Sequence, residues 1–136
     1  MWFDVRKIFK YGLAVVRNKK LLVLREKNTS KYLLPGGRPE KGENIEKTLN
    51  REIKEELNTI IRPGSIRFYG IFEDVAANEP DTIIRISLSI GEIEGVLEPS
   101  SEIEETAWIG SNHNLILAPS IENKILPALI KDGIID

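Results

Sequence analysis

The stretch Leu34-Pro35-Gly36-Gly37-Arg38-Pro39-Glu40-Lys41-Gly42-Glu43, followed seven residues later by Arg51-Glu52-Ile53-Lys54-Glu55-Glu56, decides how the chain is read. Ile45, Leu49, Ile53 and Leu57 recur every fourth residue, which predicts a helix over 44–57 with a single apolar stripe. Asn58 stands where a left-handed residue would end that helix. On it, Glu52, Glu55 and Glu56 lie at i, i+3 and i+4, so their carboxylates are neighbours along the edge of the stripe. Carboxylates this close repel one another unless positive charge sits among them. Arg51, at i and i+4 with Glu55, is one source; a hard divalent cation on oxygen ligands is the other. Gly36-Gly37 lets the backbone approach a ligand closely just ahead of the helix. A glycine-rich loop feeding a carboxylate-bearing helix fits a Mg²⁺–phosphate site. Taken alone, an Arg-Glu-x-x-Glu-Glu run is more often the solvated face of a charged helix.

Upstream, the β-rich runs Phe9–Arg17 and Leu21–Glu26 are separated by Asn18-Lys19-Lys20, which predicts a hairpin. Lys27–Lys31 reads as a charged loop and Tyr32–Leu34 as a short apolar piece. Pro35-Gly36-Gly37 is expected to break any regular element. Downstream, Pro63-Gly64 marks a turn, and Arg67–Glu73 and Thr82–Ile90 read as strands. In the second, Ile84, Ile86, Leu88 and Ile90 alternate with Arg85, Ser87 and Ser89. Glu92–Glu105 reads as an acidic loop and Thr106–Ile109 as a last strand. Ser120 is expected to cap a C-terminal helix that Pro127 kinks or splits and Gly133 ends. Strands and two helices without regular βαβ alternation give an α+β class.

At 136 residues, 41% apolar and 29% charged, the chain is expected to form one globular domain over 1–136. Nineteen basic and 21 acidic residues leave a net charge of −2, which argues against bulk attraction to nucleic acid or an anionic membrane. The absence of cysteine excludes a disulfide scaffold, a thiolate metal site and a cysteine nucleophile. Apolar runs such as Leu13–Val16 are too short to span a bilayer. Asp4, Arg6, Lys7 and Lys10 interrupt the N-terminus where a signal peptide needs an unbroken core. A soluble, cytoplasmic protein is expected.

Gly37, Glu43, Arg51, Glu52, Ile53, Glu55 and Glu56 fill seven of the nine defined positions of the Nudix box, Gly-x5-Glu-x7-Arg-Glu-U-x-Glu-Glu-x-Gly-U with U a bulky apolar residue. Chance produces such a match in a chain this long on the order of once in 10⁵ or less. The chain therefore resembles the Nudix hydrolase family. The order of hairpin, short strand, box helix, later strands and C-terminal helix also resembles a complete Nudix domain. Asn58 and Thr59 depart from the pattern. Asn is the next-best residue after glycine at a left-handed stop, and Thr59 is expected to weaken packing of the following loop. Neither removes a carboxylate.

The resemblance implies the Nudix fold, a mixed β-sheet packed between helices as an α/β/α sandwich. It implies hydrolysis of a pyrophosphate bond in a nucleoside diphosphate linked to another group: ADP-ribose, a nucleotide-sugar or a nucleoside triphosphate. Water would be the nucleophile and Mg²⁺ or Mn²⁺ the cofactor. By the same resemblance, Glu52 and Glu56 are metal ligands and Glu55 is a further ligand or a water-orienting base. The Gly37 carbonyl completes the metal site, and Arg51 and Glu43 form a buried pair that fixes loop to helix. A further carboxylate is sought among Glu102, Glu104 and Glu105, with Glu73 and Asp74 behind them. Arg25 and Arg38 are candidates for phosphate oxygens, with Lys31 more simply a surface charge. Tyr32 suits core packing or base stacking, and His113 a surface role. The positions where subfamilies carry a marker proline or tyrosine hold Asp74 and Val75–Ala77, so the substrate stays open, with ADP-ribose or a nucleotide-sugar preferred on general layout. The expected partner is a small-molecule nucleotide, with no membrane and no nucleic acid; a homodimer is compatible with it. The alternative is a non-catalytic Nudix module that senses nucleotides. Such modules usually lose box carboxylates, and this chain keeps all of them.

Overall fold

The structure, a computed structural model, describes residues 5–136; Met1–Asp4, part of the N-terminal segment read above as unlike a signal peptide, lie outside the described residues. β1 (Arg6–Arg17) and β2 (Lys20–Glu26) form the expected hairpin, with a tighter turn than the sequence suggests. Asn18 and Lys19 take φ of 51° and 59°, the two-residue geometry whose twist matches the strands it joins. Lys20 is therefore already in β2, opposite Arg17. Past Val16↔Leu21 the two strands part company.

That divergence organises the molecule. β3 (Tyr32–Leu33) lies antiparallel against β2, whereas β4 (Gly36–Gly37) lies against β1. The Pro35–Gly37 segment thus does not merely break structure: Gly36 and Gly37 pair with Gly12 and Tyr11. β5 (Arg67–Val75) is antiparallel to β6 (Thr82–Gly91), and β6 runs parallel to β1 from Arg6↔Thr82 to Val15↔Gly91. β7 (Ile103–Ile109) pairs with β2. The strand order is β3-β2-β1-β6-β5, with β4 on β1 and β7 on β2.

Period-two alternation along the hairpin feeds two cores. Leu13, Val15, Leu22 and Leu24 meet Leu49, Ile53 and Leu57 of α1 (Ile45–Leu57). Ala14, Leu21 and Val23 face the other way, onto Ile121, Ile125, Leu126 and Leu129 of the C-terminal helical segment. A mixed sheet between helices is the α/β/α sandwich expected of the sequence. Each fully buried Leu or Ile contributes about 2 kcal/mol, and an aspartate at Ile53 would strand a charge in the seam under α1.

The C-terminal segment departs from expectation. Ser120 is already helical (φ −59°, ψ −33°), and its side chain caps nothing. A π-helical turn, Ile121–Ile125, runs into α2 (Leu126–Lys131). Pro127 sits in the first turn of α2, a position proline tolerates. Gly133, at φ 73°, ends the segment. The acidic loop is also shorter than expected, because Ile103–Glu105 belong to β7.

Candidate active site

The box helix is fixed at both ends. Asn44 accepts the Lys47 N–H (2.9 Å) at its start. At its end Asn58 adopts φ 51°, ψ 38° and donates its N–H to the Lys54 carbonyl. The last carbonyls of a helix need outside donors, and the segment after β6 supplies them. Glu98 N–H reaches Leu57 O (2.9 Å), Ser100 N–H reaches Glu56 O (3.0 Å) and the Ser100 hydroxyl reaches Glu55 O (2.5 Å). Thr59 does not loosen this region as expected: it is buried, and its hydroxyl donates to the Glu94 carbonyl.

With Leu49, Ile53 and Leu57 facing the sheet, helical phase turns Glu52 and Glu56 toward β4 and leaves Glu55 on the rim. The Glu55 side chain is 53% exposed, against 16% for Glu52. Arg51 occupies the centre of this face. Its Nε and Nη2 clasp both Glu43 oxygens (2.8 and 3.0 Å), Nη1 bonds Glu52 Oε1 (2.7 Å), and Nη2 bonds the Arg38 carbonyl (3.0 Å). Glu40 and Glu55 stand 3.6 Å from Nη1. This bidentate grip, with Thr48 also donating to Glu43 (3.1 Å), pins the loop after β4 to the helix. Arg51 holds the Glu43 carboxyl down at about 2, helped by the Glu40 N–H.

The two glycines make the approach possible. Gly36 has φ 136° and lies so close to β1 that a Cβ would strike the Tyr11 backbone. The Glu52 carboxyl lies over Gly37, where a Cβ would stand 2.5 Å from it. Burial raises the Glu52 pKa, and Arg51 pulls against that rise. Glu56 is in a different position. It accepts one hydrogen bond, from the Gly36 N–H (3.1 Å), and no cationic side chain among the described residues lies within 4.0 Å of it. Burial pushes its carboxyl up to about 8; the Gly36 N–H and Lys10 oppose the rise, while Glu52 and Glu26 add to it.

A cavity of about 180 Å³ opens beside Glu56 where β1 and β2 diverge. Lys10 of β1 and Glu26 of β2 both line it, together with Leu34, Gly36 and the Ala76–Glu79 loop. Lys10 and Glu26 escaped the sequence reading. Each is one charged residue on a strand, and only the parting of the hairpin aims both at one cleft.

The remaining candidates lie elsewhere. Arg25 donates to the Thr29 carbonyl (2.9 Å) and stands 3.5 Å from Glu105, which accepts the Tyr32 hydroxyl (2.6 Å). Lys31 is not a loose surface charge: its Nζ donates to the Ala77 carbonyl (2.6 Å). Arg38, Glu102 and Glu104 are exposed, Glu73 pairs with Arg85 (3.4 Å), and Asp74 accepts from Asn123 (3.3 Å). None of these nine candidate side chains, Tyr32 included, lines the cavity. His113 packs between Glu122 and the Leu115 N–H, away from the site.

Among the described residues no three acidic or histidine side chains converge to hold a metal unaided. Two observations nevertheless fit Mg²⁺. The donors at the glycine turn are hard oxygens, which that ion takes together with substrate phosphates. Glu56 is a half-buried carboxyl with no cationic side chain within 4.0 Å among the described residues, so its charged form is costly unless a cation meets it. No helix among the described residues is long and apolar enough to cross a membrane.

Comparison with known proteins agrees with this architecture. The family profile of the NUDIX domain matches residues 11–129. The ADP-ribose pyrophosphatase of Methanocaldococcus jannaschii is 31% identical over 104 residues, 75% of this chain and 60% of that protein. An mRNA-decapping protein of vaccinia virus (strain Western Reserve) is 33% identical over 88 residues, 59% of this chain and 36% of that protein. The matches thus span only part of the length of these curated relatives. Among solved structures, a MutT NUDIX hydrolase from Burkholderia pseudomallei superposes with a TM-score of 0.72 at 17% identity, over 93% of this chain and 97% of that one. The fold, the box and the match over 11–129 agree: the chain belongs to the Nudix hydrolase family.

Proposed function

We propose that the chain hydrolyses the pyrophosphate bond of a nucleoside diphosphate linked to another group, with water as nucleophile and Mg²⁺ or Mn²⁺ as cofactor. Glu52, Glu56 and the Gly37 carbonyl would hold the metal, with Glu55 a further ligand or a water-orienting base. The observation that carries this reading is Glu56, a half-buried carboxyl at the glycine turn with one N–H partner and no cationic side chain within 4.0 Å among the described residues. A divalent ion there would neutralise the diphosphate, lower the pKa of a bound water and align attack. The protein's own part is positional. Arg51 and Glu43 hold the loop to the helix, the Gly36 N–H aims Glu56, and the lack of a Cβ at Gly37 lets Glu52 sit over the backbone.

For the linked group, ADP-ribose or a nucleotide-sugar is favoured over a nucleoside triphosphate, supported by the archaeal relative named an ADP-ribose pyrophosphatase. The viral relative, named an mRNA-decapping protein, motivates a second substrate, capped RNA, whose triphosphate bridge also contains a pyrophosphate bond. The test is product analysis with ADP-ribose, UDP-glucose, GTP and a capped oligonucleotide, each with and without Mg²⁺. Mg²⁺-dependent release of a nucleoside monophosphate from ADP-ribose is expected. Failure to cleave any of the four would refute the proposal.

A further inference from the structure

The cavity beside Glu56 is the place where a diphosphate would lie, and it is short of positive charge. Glu26, Glu56 and Glu79 all line it. The nearby cations are committed elsewhere: Arg51 to Glu43 and Glu52, Arg25 to Thr29 and Glu105, and Lys31 to the Ala77 carbonyl. Lys10 is different. It is the only lysine or arginine among the described residues that lines the cavity. Strand alternation puts it on the same face of β1 as Ile8 and Gly12, which also line it. It is half-buried, and among the described residues it makes no ion pair within 4.0 Å. A lysine serving only as a counter-charge would close onto a carboxylate; this one shares the cavity lining with Glu26 and, among the described residues, closes onto none.

We propose that Lys10 is a substrate-binding residue whose ammonium takes a phosphoryl oxygen of the bound diphosphate. The proposal rests on the reading above, that the substrate carries a diphosphate, and adds to it the residue that selects for one. The electrostatics agree, since Lys10 is felt by both Glu52 and Glu56. Lys10 lines the same cavity as Glu56 and Gly36, the place where metal ligands and diphosphate would meet. As a compact point charge on a flexible stem, it suits a phosphoryl oxygen without demanding one fixed geometry.

Calorimetric titration tests this without turnover, using ADP and adenosine as probes in excess EDTA and again in Mg²⁺. Lys10→Met should weaken ADP binding roughly tenfold or more, the scale of one charge-assisted hydrogen bond, and leave adenosine binding unchanged. Lys10→Arg should recover most of the loss. Lys7→Met, an exposed lysine on the opposite face of β1, should bind ADP as wild type does and so control for net charge. In the wild-type reaction, the same Lys10→Met change should appear mainly as a raised KM. ADP affinity unchanged in Lys10→Met, equal losses for ADP and adenosine, or no ADP binding by the wild type would each overturn the assignment. Lys10-dependent ADP binding by a protein that hydrolyses nothing would uphold Lys10 and sink the hydrolase reading. Mg²⁺-dependent hydrolysis with a KM indifferent to Lys10→Met would do the reverse.

Discussion

Replacing Arg51 with alanine removes the cation around which the box is built, and the cost follows from its contacts. The guanidinium makes three hydrogen bonds to carboxylates, at 2.7–3.0 Å, and one to a carbonyl. Its side chain is 21% exposed, and those of Glu43 and Glu52 are 15% and 16% exposed. Breaking a fully buried pair costs about 3–5 kcal/mol and an exposed one less than about 1. This partly covered cluster should therefore cost about 2–4 kcal/mol. For 136 residues the unfolding entropy is about 0.3 kcal/mol/K, so the melting midpoint should drop by about 7–14 °C. The pH dependence sharpens the test. Glu43 is held at about 2 against an ordinary 4.5; a depressed carboxyl stabilises fully above its unfolded value and loses that contribution as pH falls through the folded one. The gap between wild type and Arg51→Ala should accordingly be widest above pH 5 and shrink toward pH 2. Differential scanning calorimetry across that range is the assay, with Arg51→Lys expected to recover only part of the loss. A midpoint within about 2 °C of wild type at pH 7, or a gap independent of pH, would refute the reasoning.

Glu56→Gln should lower kcat by roughly 10²-fold or more with no loss of thermal stability, since an amide replaces a carboxyl whose charged form its surroundings already disfavour; Glu46→Gln, outside the box, should be silent in the same assay. Gly37→Ala puts a methyl 2.5 Å from the Glu52 carboxyl and should weaken Mn²⁺ binding, measured by titration calorimetry, along with activity. Asn58→Gly relieves a left-handed asparagine (φ 51°) and should stabilise by up to about 1 kcal/mol, read as a small rise in melting midpoint. A plain phosphate monoester should not be turned over, because it lacks the second phosphoryl group; release of p-nitrophenol from its phosphate faster than cleavage of a diphosphate would contradict that expectation.

The helix and its carboxylates were legible because their signals are local. A four-residue stripe sets the phase of α1, and Asn44 and Asn58 cap it by short-range bonds. The pairing of Glu43 with Arg51 was available only through the resemblance, since spacing alone offered Arg51 a partner in Glu55. What lay beyond the sequence was non-local. Nothing in Phe9–Arg17 or Leu21–Glu26 announces that the hairpin splits after two residue pairs, yet that split brings Lys10, Glu26 and Glu56 to one cavity. Arg25 illustrates the same gap. Its place in the chain suggested phosphate, but strand alternation turns it toward Tyr32 and Glu105 instead. The acidic segment after β6 looked like solvated loop because its work is done by main-chain N–H groups at positions 98 and 100, which side-chain chemistry does not reveal.

In the proposed chemistry the carboxylates over the glycine turn work through a divalent cation on a diphosphate bridge. The most direct measurement is ADP-ribose hydrolysis in ¹⁸O-labelled water, run with Mg²⁺ and again in excess EDTA, with the products resolved by mass spectrometry. Cleavage is expected only with Mg²⁺, with label in a phosphate-containing product and no cleavage above background in EDTA. Undiminished turnover in EDTA, or label confined to a fragment without phosphate, would contradict it.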